Sequence, residues 1–250
     1  MKLGLGLGIN QRAENLETMG AFSPADISGL QTWYKHKTGI TADGSDNVQE
    51  WLDSSGNSND LTQTSAGARP AYNASTGAIT PASQDFLTFD SALNLGAFCY
   101  FMVAEFNTNG VGAGGRYHGL LNESATAAEM FFWSIAEDNM FFNLIVKSPD
   151  DATGISAITN DPADDTKVVV LITRSAQVNS TVKVFINNAE SFSDTDLDAD
   201  ATFKPDQFLR ISADTRILNG SVYEMGIYNV DLSGANRTAL YNDLVSRHSL

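Results

Sequence analysis

The chain has 250 residues, 42 % of them hydrophobic and 18 % charged, with a net charge of −15 and an isoelectric point near 4.4. A field of that sign repels nucleic acid and anionic membrane, and no basic cluster offsets it. The one cysteine, Cys99, excludes an internal disulfide framework, and no stretch approaches the length of a membrane span.

Leu3, Leu5, Leu7 and Ile9 alternate with Gly4, Gly6 and Gly8, the period of a strand with its apolar groups on one face. Such a segment either pairs with the sheet of its own domain or lies as an arm on a neighbouring subunit. We read residues 1–19 as an assembly arm carrying Leu3, Leu5, Leu7 and Ile9, and residues 20–250 as one domain. The apolar stretch is broken by glycine and no small-residue cleavage site follows, so a secretion signal is not expected.

Ser23-Pro24-Ala25-Asp26 predicts a helical turn, with Ser at the N-cap, Pro at the first position and an acid near the positive dipole end. Gly29 ends it. Strands are predicted over 30–36, anchored by Trp33, and over 48–52, followed by the turn-dense run Asp53–Asp60. Further strands are expected over 86–89, 98–106, 130–135, 140–146, 167–173, 181–187, 208–213 and 220–228. The near-continuous apolar runs at 98–106 and 168–172 suit strands covered on both faces. The Asp-rich stretch 191–200 reads as an exposed loop. Ser233 is a plausible N-cap for a closing helix, in which Leu240, Tyr241, Leu244 and Val245 form an apolar stripe. Many short strands, polar turns and one terminal helix predict an all-β, two-sheet antiparallel sandwich.

The order of landmarks adds a family resemblance. Residues 22–30 with Trp33, the Trp51–Asp53–Ser–Ser–Gly56–Asn57 turn, Arg69-Pro70-Ala71-Tyr72 and the strand 182–187 fall in a familiar sequence. Asn219–Tyr228 and the closing helix complete it. Together they resemble the concanavalin A-like and laminin-G-like jelly rolls, especially the divergent versions found in bacteriophage virion proteins. At 187–188 the family's Asn-Gly hairpin becomes Asn187-Asn188, which the left-handed tolerance of Asn can accommodate. The resemblance implies a jelly-roll sandwich used for glycan or protein recognition.

Catalytic chemistry is not legible. A glycoside hydrolase needs two carboxylates facing across a cleft, and the related hydrolases carry three acids alternating along one strand. No strand here does so; Glu137-Asp138 falls in a turn, and Glu224 stands alone, read as a structural acid bonding backbone at a sheet edge or turn. His36, His118 and His248 lie in separate contexts, and the 110–115 glycine run lacks the residues of a phosphate loop. Asp53, Ser55, Asn57 and Asn59 alternate oxygen-bearing side chains, with Asp60 adjacent, a spacing Ca²⁺ could use; the competing reading is an Asx-rich turn bonding its own backbone. For a sugar, whose apolar face suits a flat ring and whose hydroxyls suit amides, two places stand out. They are Tyr117-His118 with Asn122, and Trp51 beside the Asp53 turn; plain packing competes at both.

The expectation is therefore a non-enzymatic bacteriophage structural protein of the capsid surface, neck, tail or fibre. It would sit at the virion surface after assembly in the host cytoplasm, bound to other virion proteins through its arm in an oligomeric assembly, and in contact with host-surface glycans. The alternative is a bacterial carbohydrate-binding module or an inactive hydrolase-like lectin.

Overall fold

The computed structural model describes residues 22–82, 84–107, 116–124, 130–136, 139–148, 151–159, 166–177, 180–196, 202–211, 216–232 and 234–250. The arm residues Leu3, Leu5, Leu7 and Ile9 lie outside them. In chain order the strands are β1 (Leu30–Tyr34), β2 (Ile40–Ala42), β3 (Val48–Trp51), β4 (Leu61–Thr62), β5 (Ala71–Asn73), β6 (Ala78–Thr80), β7 (Leu87–Phe89), β8 (Phe98–Phe106), β9 (Arg116–Asn122) and β10 (Met130–Ala136). There follow β11 (Asn139–Ser148), β12 (Asp151–Thr159), β13 (Lys167–Arg174), β14 (Ser180–Ile186), β15 (Ala189–Asp196), β16 (Gln207–Phe208), β17 (Arg210–Ile211), β18 (Arg216–Ile217) and β19 (Gly220–Tyr228), closed by helix α1 (Gly234–His248).

They pair as a two-stranded sheet, β17-β18, and two large antiparallel sheets. One has the order β15-β14-β13-β8-β19-β6-β5, with β1 also on β19; the other runs β12-β11-β10-β9-β16-β7-β4-β3-β2. The predicted all-β sandwich with a terminal helix is what the chain forms. The apolar run of β8 shows why. Phe98, Tyr100, Met102, Ala104 and Phe106 enter a core shared with Trp51, Leu61, Leu87, Phe89 and Phe208 of the opposite sheet. Cys99, Phe101 and Val103 point the other way, into a second core roofed by Leu240 and Leu244 of α1. Period-2 alternation thus disappears from the sequence because both faces are covered. The layers run α1, eight-stranded sheet, nine-stranded sheet, and the last leaves one face outward.

Local chemistry sets the corners. Ser23 and Asp26 form a reciprocal capping box around the 3₁₀ turn Pro24–Asp26, and Tyr228 Oη donates to Pro24 O at 2.9 Å. Asn187 and Asn188 both take positive φ, 48° and 65°, as a two-residue hairpin turn requires, so Asn replaces the usual Gly without loss of the turn. Two expectations are corrected. The acidic stretch read as a loop is in its first half strand β15, held to β14 by a ladder with one bulge at Ser191. The strand predicted over 208–213 is broken at Leu209, whose φ of 78° turns the chain from β16 into β17.

Candidate functional site

The outward face of the nine-stranded sheet carries the candidate site. Cross-strand register places Thr41 opposite Glu50, Glu50 opposite Thr62, Thr62 opposite Thr88, Thr88 opposite Gln207, and Gln207 opposite Asn122. Directly opposed residues share a face. One polar side chain from each of β2, β3, β4, β7, β16 and β9 therefore stands in a single row. The residues beside them, Trp51, Leu61, Leu87, Phe208 and Leu121, turn into the core. At a spacing of about 4.8 Å per strand, the five steps from Thr41 to Asn122 span roughly 24 Å.

At the β2–β4 end the row widens into a groove of about 400 Å³ lined by Thr41, Gln49, Glu50, Thr62, Gln63, Thr64 and Arg69. A bulge makes the room: β2 and β3 slip register so that Gln49 is extra, and Gln49 and Glu50 stand between the inward Val48 and Trp51. Arg69 is a fixed wall. Its Nε donates to Gln63 O at 2.9 Å, Nη1 pairs with Asp43 at 3.1 Å and Nη2 donates to Thr64 O at 3.2 Å. Backbone N–H groups of Asn47 and Ser45, with Arg69 adding to them, hold the Asp43 carboxyl below its ordinary pKa. Gln63 is pinned too, donating to Phe86 O at 3.0 Å and accepting from Ser65 N at 2.9 Å.

At the other end Gln207 Oε1 accepts from Asn122 Nδ2 at 3.1 Å and from Arg210 Nε at 3.2 Å. The Arg210 guanidinium lies 3.8 Å above the Phe86 ring. Burial lowers its pKa, against the opposing charge of Asp206. Asn122 is 1 % exposed, and its Oδ1 has no donor.

Of the two sugar-site groups read from sequence, the structure describes one only in part. Asn122 joins the row. Tyr117 and His118 lie on β9 with their backbones opposite Ser134 and Trp133, and their side chains fall outside the described set. Trp51 is fully buried, its Nε1 donating to Lys35 O at 3.2 Å, so it offers a ligand no open face. The proposed Ca²⁺ ligands are spent on the turn itself. Asp53 Oδ1 accepts from the backbone of Trp33 and Ser55, and Oδ2 from Ser55 Oγ and Asn59 N. Asp60 Oδ1 accepts from Asp53 N at 2.7 Å, and Asn57 Nδ2 donates to Leu30 O and Gln31 O. With four N–H and O–H donors on its two oxygens, the Asp53 carboxylate does not fit a cation. Among the described residues no three His, Cys, Asp or Glu gather into a metal-holding group. Thr41, Glu50, Thr62, Thr88 and Gln207 escaped the sequence reading because each is one unremarkable polar residue in its own strand.

Glu224 also differs from expectation. It lies on β19 inside the sheet, fully buried, and bonds side chains rather than edge backbone. Trp33 Nε1 donates to Oε1 at 2.6 Å, Arg247 Nη1 reaches the same oxygen, and His248 Nε2 meets Oε2 at 2.8 Å. Burial alone raises the carboxyl pKa; hydrogen bonds from His248 and Arg247 outweigh it and hold it below the ordinary value. His36 stacks edge-on against His248 at 4.7 Å, and burial, then the charge of His248, lowers its pKa. This cluster rivets α1 to β1 and β19. With its carboxylate saturated and no solvent access, Glu224 is unavailable to a substrate.

No protein-family model matches the chain, and no curated protein matches it either. Solved structures do. The binding domain of Paraclostridial Mosquitocidal Protein 1 matches with a TM-score of 0.60 at 16 % identity, over 88 % of this chain and 53 % of that one. The receptor-binding domain of botulinum neurotoxin D gives 0.56 at 14 % identity, over 88 % and 54 %. The serotype D ligand-binding domain in complex with N-acetylneuraminic acid gives 0.56 at 15 %, over 88 % and 52 %. The chain spans about half the length of these domains, and identities this low establish a shared β-sandwich fold. These neighbours are binding domains of toxins, and the phage-virion role that the jelly-roll resemblance implies draws no support from them.

Proposed function

We propose that this chain is a non-catalytic recognition domain that binds surface glycans on the outward face of its nine-stranded sheet. The row Thr41–Glu50–Thr62–Thr88–Gln207–Asn122 carries the reading. Antiparallel sheets commonly turn a polar face to water. Here, however, Gln63, Gln207 and Asn122 are 6 %, 8 % and 1 % exposed, so the face is shaped and partly enclosed rather than simply solvated. Hydroxyl and amide groups both donate and accept, as sugar hydroxyls do, and the Glu50 carboxylate adds a strong acceptor within the groove. The fold it shares with toxin binding domains is consistent with recognition, and Glu224, the buried acid, is committed to structure.

A glycan array followed by NMR titration of hits tests this. Replacing Glu50 and Thr62 together with Ala should weaken a hit about tenfold, the worth of one charge-assisted hydrogen bond, at unchanged melting temperature. Chelator should leave binding unaltered. An array with no hit, or a double variant that binds like the parent, overturns the proposal. The carrier, a virus particle in the setting the resemblance implies, is tested separately: deleting residues 1–12 should abolish particle incorporation while folding and sugar binding persist.

A further inference from the structure

We propose that the corner formed by Arg210, Phe86, Gln207 and Asn122 is a subsite for the carboxylate of an acidic sugar, so that the ligand is an oligosaccharide with a uronic or sialic acid at this end. The inference rests on the glycan-binding reading and adds to it a ligand class and a direction.

Three observations converge. The guanidinium is positioned for an anion: the Phe86 ring supports its plane at 3.8 Å and Gln207 fixes Nε at 3.2 Å. Among the described residues its Nη donors have no partner, and they form the edge that a carboxylate grips with two parallel bonds. The chain has 30 acids to 15 Lys and Arg, yet none of the described acids pairs with this cation. Elsewhere Arg69 meets Asp43, Lys183 meets Glu190 and Arg247 meets Glu224 and Asp243. Asp206, whose charge Arg210 feels, instead accepts from Ser124 N at 2.8 Å and from Ser124 Oγ. Third, Asn122 holds the Gln207 amide at 3.1 Å, and Thr88, directly opposite Gln207 and half-buried, presents a hydroxyl beside the corner.

An acidic sugar answers both features at once, offering a carboxylate to Arg210 and a neighbouring hydroxyl to Thr88. A neutral sugar meets only the second and a bare inorganic anion only the first. Glu50 stands three strands away, about 14 Å by strand spacing, so like-charge repulsion keeps the acidic residue from the groove and sets the orientation.

The full chain is titrated by NMR with 3′-sialyllactose, a glucuronic acid-terminated disaccharide and lactose, as wild type, Arg210→Gln and Arg210→Lys. Wild type should bind at least one acidic probe about tenfold tighter than lactose, and which one identifies the acid. Arg210→Gln should bring the acidic-probe affinity down to that of lactose in a chain still folded by circular dichroism, and Arg210→Lys should restore part of the preference. Lactose bound as tightly as both acidic probes, or a preference that survives Arg210→Gln, overturns the subsite and leaves the glycan reading standing. Failure of every sugar overturns both.

Discussion

Glu224→Ala isolates what holds the helix to the sandwich. In the folded chain the carboxylate is the common acceptor for Trp33 on β1 and for Arg247 and His248 at the end of α1. Truncation leaves the Trp33 indole N–H and the His248 ring, whose side chain is 1 % exposed, without an acceptor in a dry interface. Arg247, 24 % exposed, keeps Asp243 at 2.6 Å and suffers less. Breaking a buried charged network from one side costs about 3–5 kcal/mol. For a domain of this length each kcal/mol lowers the melting temperature by roughly 2–4 °C, so a fall of about 10 °C is expected. Glu224→Gln keeps one acceptor for Trp33 but turns an amide toward the cations, and should lose roughly 1–3 kcal/mol. Thermal melts by circular dichroism, with urea titrations for the free energies, measure both. An alanine variant that melts within about 2 °C of the parent would refute the claim that this cluster clamps α1.

Three further outcomes follow from the same layers. The Glu224 carboxyl, with its folded pKa below the ordinary 4.5, contributes stability that is complete above that pH and fades as pH falls through the folded value; His36, lowered from 6.5, likewise contributes above 6.5 and is lost on acidification. Melting temperature should therefore drop steadily from pH 7 toward 4, less steeply in Glu224→Gln, and a rise over that interval contradicts the assignment. Burial pushes the Cys99 thiol far above its ordinary pKa, so a thiol reagent should label the native chain only as fast as it unfolds, and prompt labelling argues against the helix-covered core. A Cβ at Gly226 would come within 2.5 Å of the Phe101 ring and 2.7 Å of Thr32 O, so Gly226→Ala should lose about 1–3 kcal/mol or more, whereas Gly44→Ala, which meets nothing within 4 Å, should be close to neutral.

How far the sequence discloses these features depends on how each is held in place. Strands β8, β13 and β19 are legible because two packed layers demand apolar residues on both faces, and Leu240 with Leu244 marks α1 because a helix on a sheet needs one stripe. Strand β15 is not legible: it lies at a sheet edge, and its ladder to β14, with the Lys183–Glu190 pair, stabilises it without an apolar pattern. Two-residue strands such as β4 and β16 are too short to show any period, yet they complete the polar row.

The site is hidden for a related reason. Its residues lie between positions 41 and 207, one per strand, and only the strand order β9-β16-β7-β4-β3-β2 brings them into line. Trp51 misled because a tryptophan beside an Asx-rich turn has the composition of a sugar platform. The Gln49 bulge decides its direction: Val48 and Trp51, three apart, would face opposite ways in a regular strand, but both are fully buried. The extra residue that sends the indole inward also turns Glu50 outward. A single irregularity in β3 therefore removes the ligand residue that sequence favours and supplies the one it overlooks. Deleting Gln49 leaves Val48, Glu50 and Trp51 in regular alternation, so the indole should stay buried, with tryptophan emission unshifted, while the groove loses the width the bulge provides and binding there weakens; a red-shifted emission contradicts this account.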